Sequence, residues 1–533
     1  LRGVWRNPCG FKSHSSHHHA GYRSGMPHFL SEHCMTSLRQ KLLKAADLPL
    51  FQKISAFLDG TIYPAVYAAL MLVCSLFGLE FFCYALTTAI VVYVCLFAKD
   101  TRAILPSAVL VVYSMSWKHT SQPPYRSDFL NGTAFLVVVA VLGTCILAAM
   151  ILRVFLFREK GSLFRFPSMG AGLALLCLSF LTNGVFSSEF VSKDILLGFL
   201  FAFSFGALFF FFSATLKRNF NYGLYFAYIL FLASAVIFLQ VVKLLVFGHT
   251  TAEGHLSVFD ADGSINKDLM IAGWGMSNNV GGMLAMFLPA QLYLAAKVRR
   301  GYLFYLFAFL QLGAVCATLS RSSLLVGGVM LLAGAILLSV VKTPYRKFFR
   351  IFNLAVLVCG VIFCAVFWDK IVRIFSVIFE RGFSDSQRFE IWKNGLLNFL
   401  KDPPFGVGFY APFYVDINIE NWFFPDMYHN IFVQILASCG LFGIFAYAYH
   451  LSQVLNLAIR KVTAERIFFL AVFLMLSGTS LLDNHLFHVF PALVYSIVLC
   501  LWERDARKDL TLQKTLLAHD KNFPFCLFST RKL

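Results

Sequence analysis

The 533-residue chain is 59% hydrophobic and only 14% charged, with a mean hydropathy of +0.72. A soluble domain is nearer a quarter charged, so this composition excludes a soluble multidomain enzyme, a disordered chain and a disulfide scaffold. The net charge of +18 would suggest nucleic acid in a soluble chain; here it is read first as membrane topology, and no nucleic-acid partner is expected.

In chain order, residues 1–34 are Ser- and His-rich, with a run at His17, His18 and His19 and no apolar signal-peptide segment. Met26 or Met35 would serve as a natural start. Residues 36–56 read as a basic amphipathic segment lying on the inner membrane surface. A hydrocarbon core of about 30 Å takes roughly 20 apolar residues per helix. Stretches that qualify are 57–77, 79–97, 103–116, 132–157, 168–183, 194–214, 221–247, 269–296, 302–319, 322–341, 349–368, 430–450, 466–483 and 486–502. Two are short and two meet at Ser320–Ser323, so the fold class expected is an all-α polytopic membrane protein with about 12–14 transmembrane helices. Every second connection is basic: Lys99 and Arg102, Arg153 to Arg165 (with Arg158 and Lys160), Lys217 and Arg218, Lys297 to Arg300, Lys342 to Arg350, Arg460 to Arg466, and the tail from Arg504. That alternation predicts an even number of spans, with both termini cytoplasmic.

The organisation expected is a cytoplasmic tail and interfacial segment at 1–56 and a bundle at 57–368. A large external loop at 369–429, further bundle helices at 430–502 and a cytoplasmic tail at 503–533 follow. Of thirteen cysteines, Cys9, Cys34 and Cys526 fall in the tails and the rest in apolar spans. No disulfide and no paired zinc spacing is expected.

One connection is long. The external loop carries Lys370, Arg373, Arg381, Arg388, Lys393 and Lys401 on the side where cations are usually sparse. Within it, Phe389, Trp392, Leu396, Leu397 and Leu400 recur with helical period, which predicts an amphipathic helix over 386–400 lying against the membrane, with Arg388 in its first turn. The run Pro403-Pro404-Phe405-Gly406-Val407-Gly408 reads as a structural turn whose glycines supply positive φ. Arg321 stands alone at the junction of two spans, and an ionisable residue at membrane depth is a functional candidate by default. A polar island from Trp274 to Asn279 falls in the outer half of the eighth span, and Gly281 and Gly282 after it would let another helix approach closely.

Four pieces in this order, SRSSLL at 320–325, RFEIW at 388–392, PFGVGF at 404–409 and HNIFVQILASCGLFG at 429–443, resemble the O-antigen ligase and O-antigen polymerase superfamily of bacterial membrane glycosyltransferases. The resemblance covers roughly residues 270–450. It implies transfer of glycan from an undecaprenyl-diphosphate carrier to an acceptor hydroxyl on the outer face of the inner membrane, the acceptor being lipid A core in ligases and a second carrier-linked repeat in polymerases. It also implies no metal, nucleotide sugar or other cofactor. By the same match, Arg321 and Arg388 hold the diphosphate and His429 is the catalytic base. The residue chemistry agrees: guanidinium pairs phosphate oxygens bidentately, and imidazole titrates near neutrality. Asn278, Asn279 and Asn430 are expected to orient sugar hydroxyls or the base, and Arg381 and Lys393 to make secondary phosphate contacts.

Blander readings stand beside these. Arg321 snorkels to the interface; Arg388 pairs only with Glu390 or Asp385; His429 merely neighbours a helix cap. Asp483, His485 and His488 are read as interfacial side chains with no metal role. The rival function is a lipid-linked oligosaccharide flippase or exporter, against which no clear internal repeat is visible.

Overall fold

The computed structural model describes residues 32–115, 133–157, 169–217, 220–251, 254–273, 275–369, 372, 388–410, 427–460 and 462–512. Arg381, Trp274, the 17–19 histidine run, Cys9 and Cys526 lie outside them. The fold is all-α and multi-pass, with seventeen helices among the described residues. The one sheet among them is a hairpin in which β1 (His249–Thr251) pairs with β2 (Gly254–Leu256).

Each predicted span has a helical counterpart. Nine described helices are long and apolar enough to cross a membrane, or ten if α2 (Pro49–Leu58) and α3 (Tyr63–Phe77), bent by 78°, form one broken span. The predicted spans at 103–116, 168–183 and 302–319 are shorter apolar helices, so fewer helices than the expected 12–14 have full spanning length. The eighth span also begins later than predicted. Gly273 takes φ +56° and Ala272 bridges Gly275, which holds the chain out of helix until Ser277.

That helix, α10 (Ser277–Lys297), is the axis of the bundle. It is buried continuously from Val280 to Ala295 and packs against α9 (Tyr222–Phe247), α11 (Gly301–Ala317), α12 (Arg321–Val340) and α16 (Ala464–Leu482). A helix apolar on every side suits such a place, and its small residues permit close approach. By contrast α13 (Arg346–Val366) buries only Phe349 and lies at the edge.

Side-chain ties define the two ends of the bundle. At one, Lys297 lies 3.5 Å from Glu465, Arg466 3.3 Å from Asp505, and Arg102 3.3 Å from Asp59, so the basic connections gather together and are paired. At the other end, the Thr318–Ser323 turn meets Gly281, where an added Cβ would stand 2.7 Å from Thr318 Oγ1.

The proline–glycine run is a turn, as expected, and also a splice. Helix α15 (Ile431–Arg460) is interrupted at Gly440, with φ +62° and ψ −156°. The carbonyls freed at Ala437 and Ser438 accept from Val407 N at 2.9 Å and Gly408 N at 3.2 Å. Beyond the break, Leu441 N and Phe442 N donate to the carbonyls of Pro403 and Pro404 at 2.8 and 3.1 Å. Gly406 and Gly408 adopt φ +73° and +95°, supplying the reversed backbone. The inserted strand is anchored by Phe409, whose ring lies 4.7 Å from Phe201, 5.7 Å from Phe180 and 5.8 Å from Phe487.

Gly440 sits in a backbone region essentially confined to glycine, and an added Cβ would stand 2.5 Å from the Pro403 carbonyl. Gly440→Ala is therefore expected to destabilise the fold by about 1–3 kcal/mol, read as a lower melting temperature in detergent.

Candidate functional site

The site is built where the starts of α10, α12 and α15 meet the end of α16. Its centre is His429, the residue two positions before α15 begins. His429 and Leu319 are the only non-glycine residues with positive φ among those described, at +51° and +55°. One is the predicted base and the other lies two residues before Arg321. Held strain of this kind concentrates at functional sites.

His429 Nδ1 lies 2.8 Å from Asp483 Oδ1. The imidazole is 37% exposed, while the carboxylate side chain is 9% exposed. Burial alone would push the Asp483 carboxyl up. The His429 hydrogen bond and the nearby His485, His429 and Arg388 charges outweigh it and hold the group well below the usual carboxylate range. An ionised Asp483 accepts the Nδ1 proton and leaves the Nε2 lone pair as the basic site. No described residue engages Nε2.

Asp483 is the candidate site residue that the sequence pattern does not mark. The interfacial reading of Asp483 and His485 does not hold: Asp483 is 6% and His485 3% exposed, and His485 packs against α10, with an added Cβ on Gly282 falling 2.5 Å from its Nε2. Burial lowers the pKa of both His485 and His488, partly offset by Asp483. The cause is a fold-back: a 3-10 turn at His485–Phe487, with Leu486 N donating to Ser480 Oγ at 3.0 Å, carries the segment inward. The usable signal was Asp483 itself, an acid at the end of an apolar span.

Arg388 opens α14 (Arg388–Lys401), the predicted amphipathic helix. The side turned inward is Ile391, Gly395 and Asn398, with Gly395 so near α15 that an added Cβ would meet Val433 at 2.5 Å and Tyr428 at 2.9 Å. Arg388 lies three residues before Ile391, on the same face, half-buried and near enough to act electrostatically on Asp483. Of the predicted stripe, Phe389, Leu396, Leu397 and Leu400 are exposed and face away from the bundle, whereas Trp392 is half-buried against Ile391, Tyr428 and Ala437. Lys393 shares that outward side and is exposed, so the structure does not bring it to His429.

Arg321 is the exposed first residue of α12. It makes no direct contact with His429 but is linked to it through α10, where Gly281 faces its turn and Gly282 faces His485. Neither Arg321 nor Arg388 has a carboxylate within salt-bridge distance among the described residues, which disfavours the reading of Arg388 as a partner of Glu390. Asn278 and Asn279 are half-buried in the first turn of α10. Asn430 is engaged structurally: Oδ1 accepts from Phe432 N and Val433 N at 2.9 and 3.2 Å, and Nδ2 donates to Leu481 O at 3.0 Å.

The fold is that of a helical multi-pass membrane protein, and its candidate site joins a histidine–carboxylate pair to arginines that have no carboxylate within salt-bridge distance among the described residues. The O-antigen ligase family model matches residues 306–448, a match that supports the resemblance to the O-antigen ligase and polymerase superfamily. The matched segment contains Arg321, Arg388 and His429 and stops short of Asp483. No curated protein matches the chain.

Because its pKa is lowered on folding, Asp483 contributes stability at every pH above the ordinary aspartate value of about 3.9, and that contribution is lost as pH falls below it. Asp483→Asn should melt below the parent near pH 6, and the gap should narrow steadily below about pH 4, as scanning fluorimetry in detergent will report.

Proposed function

We propose that this protein is a glycosyltransferase of the O-antigen ligase type, moving glycan from an undecaprenyl-diphosphate carrier to the hydroxyl of a glycan or lipid-glycan acceptor in ligation or polymerisation of surface polysaccharide. It acts at the outer face of the cytoplasmic membrane, with both termini inside and the 369–429 connection as the catalytic loop. The observation that carries this reading is His429, strained at φ +51°, with Nδ1 on a buried carboxylate that also feels the charge of Arg388.

His429 Nε2 takes the proton of the acceptor hydroxyl, whose oxygen attacks the anomeric carbon. The bond from that carbon to the diphosphate oxygen breaks, and the lipid diphosphate leaves with the electron pair. One in-line displacement inverts the anomeric centre. Asp483 holds the imidazole in the basic tautomer and balances the imidazolium that forms. The leaving group's charge falls to Arg388 and Arg321, whose planar forks remain cationic at membrane depth. Arg321, at the head of α12, adds its charge to a helix N-terminus that already favours anions. No metal ion or other cofactor has a part in this scheme.

Reconstituted with a polyprenyl-diphosphate-linked oligosaccharide, Arg321→Ala, Arg388→Ala and His429→Ala should each lower transfer by about 100-fold or more while leaving membrane insertion intact. EDTA should leave the parent rate unchanged. Full activity in all three variants contradicts the site. Labelled carrier crossing the bilayer with unchanged glycan supports an exporter instead.

A further inference from the structure

His429 adopts a backbone conformation that side chains rarely take, so its surroundings must hold it there. Two ties run from its neighbourhood to the end of α16: His429 to Asp483, and Asn430 Nδ2 to Leu481 O. A third runs through Gln434, one turn into α15 and 1% exposed. Its Oε1 accepts from Tyr428 N at 3.0 Å and from Asn484 Nδ2 at 2.7 Å. The two donors belong to the residue before the base and the residue after the base's carboxylate partner. Nε2 of the same side chain donates to Ser438 Oγ at 3.1 Å, just before the helix break. Tyr428 extends the connection outward, its hydroxyl accepting from Asn398 Nδ2 of α14 at 2.9 Å.

We infer that Gln434 is a positioning residue for the His429–Asp483 pair and that, through Tyr428 and Asn398, it registers the Arg388 helix against that pair. The inference rests on the proposed role of His429 as base. A carboxamide suits the position. Its oxygen has two lone pairs for two converging donors, and its nitrogen supplies the donor that Ser438 accepts. It does this without placing a second buried negative charge beside Asp483. Methionine in its place would fill the volume but leave two buried N–H donors unsatisfied, freeing residue 428 to relax and the imidazole to move off line.

The test compares Gln434→Met, Gln434→Glu and His429→Ala in the reconstituted full-length protein, with kcat and KM measured separately for the lipid-linked donor. Gln434→Met should lower kcat by about 10- to 100-fold, as expected for a misplaced catalytic group, with KM within about twofold. Gln434→Glu, whose carboxyl is held protonated by burial and by the Asp483 charge, keeps both acceptor bonds and the donor to Ser438 and should recover kcat to within a fewfold of the parent. Equal loss in the Glu and Met variants, or a Met variant with parental kcat beside an inactive His429→Ala, overturns the positioning role and leaves the base assignment standing. Full transfer by His429→Ala overturns the base assignment and the inference with it.

Discussion

The hydrogen bond between His429 and Asp483 joins residues 54 positions apart in the chain, and it dictates where three helices must end. A carboxylate removed from water is tolerated only when cations and donors replace its hydration. Asp483 obtains them from the His429 hydrogen bond, the nearby Arg388 charge and its neighbour's amide, Asn484 N at 3.0 Å. Those groups arrive on separate elements: the start of α15, the turn after α16, and the detached helix α14. Satisfying one buried charge therefore fixes the relative height of all three. The same turn sets Phe487 among Phe180, Phe201 and Phe409, so the polar site stands on an aromatic floor.

A second constraint comes from the bilayer, which offers no water to an interrupted helix. The break at Gly440 is possible because the 403–408 segment supplies donors and acceptors for the exposed backbone of α15. The exchange also solves a positional problem. Helix α14 has an apolar face turned outward and a narrow inward face, and by itself would have little to fix its register. Its C-terminal end runs directly into the spliced segment, and Lys401 is tied to Glu189 at 2.6 Å. The aim of Arg388 thus depends on a glycine more than fifty residues away in sequence.

Much of this was legible in the sequence, for identifiable reasons. Spans announce themselves because burial in hydrocarbon demands long apolar runs, and α14 because its side chains keep a 3.6-residue period. The turn at Gly406 and Gly408 follows from glycine's access to positive φ. What the sequence did not disclose are interactions between distant elements. Asp483 looks like any polar residue at a helix end until the fold-back sets it beside His429. Gln434 sits inside an apolar helix and carries no local mark of its donors, Tyr428 N just upstream and Asn484 Nδ2 fifty residues on. The strain at His429 and Leu319 is invisible without backbone angles. Periodicity locates the apolar stripe of α14, but Lys393 is set among the phosphate contacts by charge and resemblance, and the helix carries it on the exposed outward side.

The central claim is that His429 and Asp483 act as one unit in glycan transfer, and a double-mutant cycle on the transfer rate tests it most directly. If Asp483 works only through the imidazole, His429→Ala combined with Asp483→Asn will be no slower than His429→Ala alone, because residues acting as a unit are strongly non-additive. Rate losses that multiply would contradict the account, since they would mean that the carboxylate and the imidazole contribute independently.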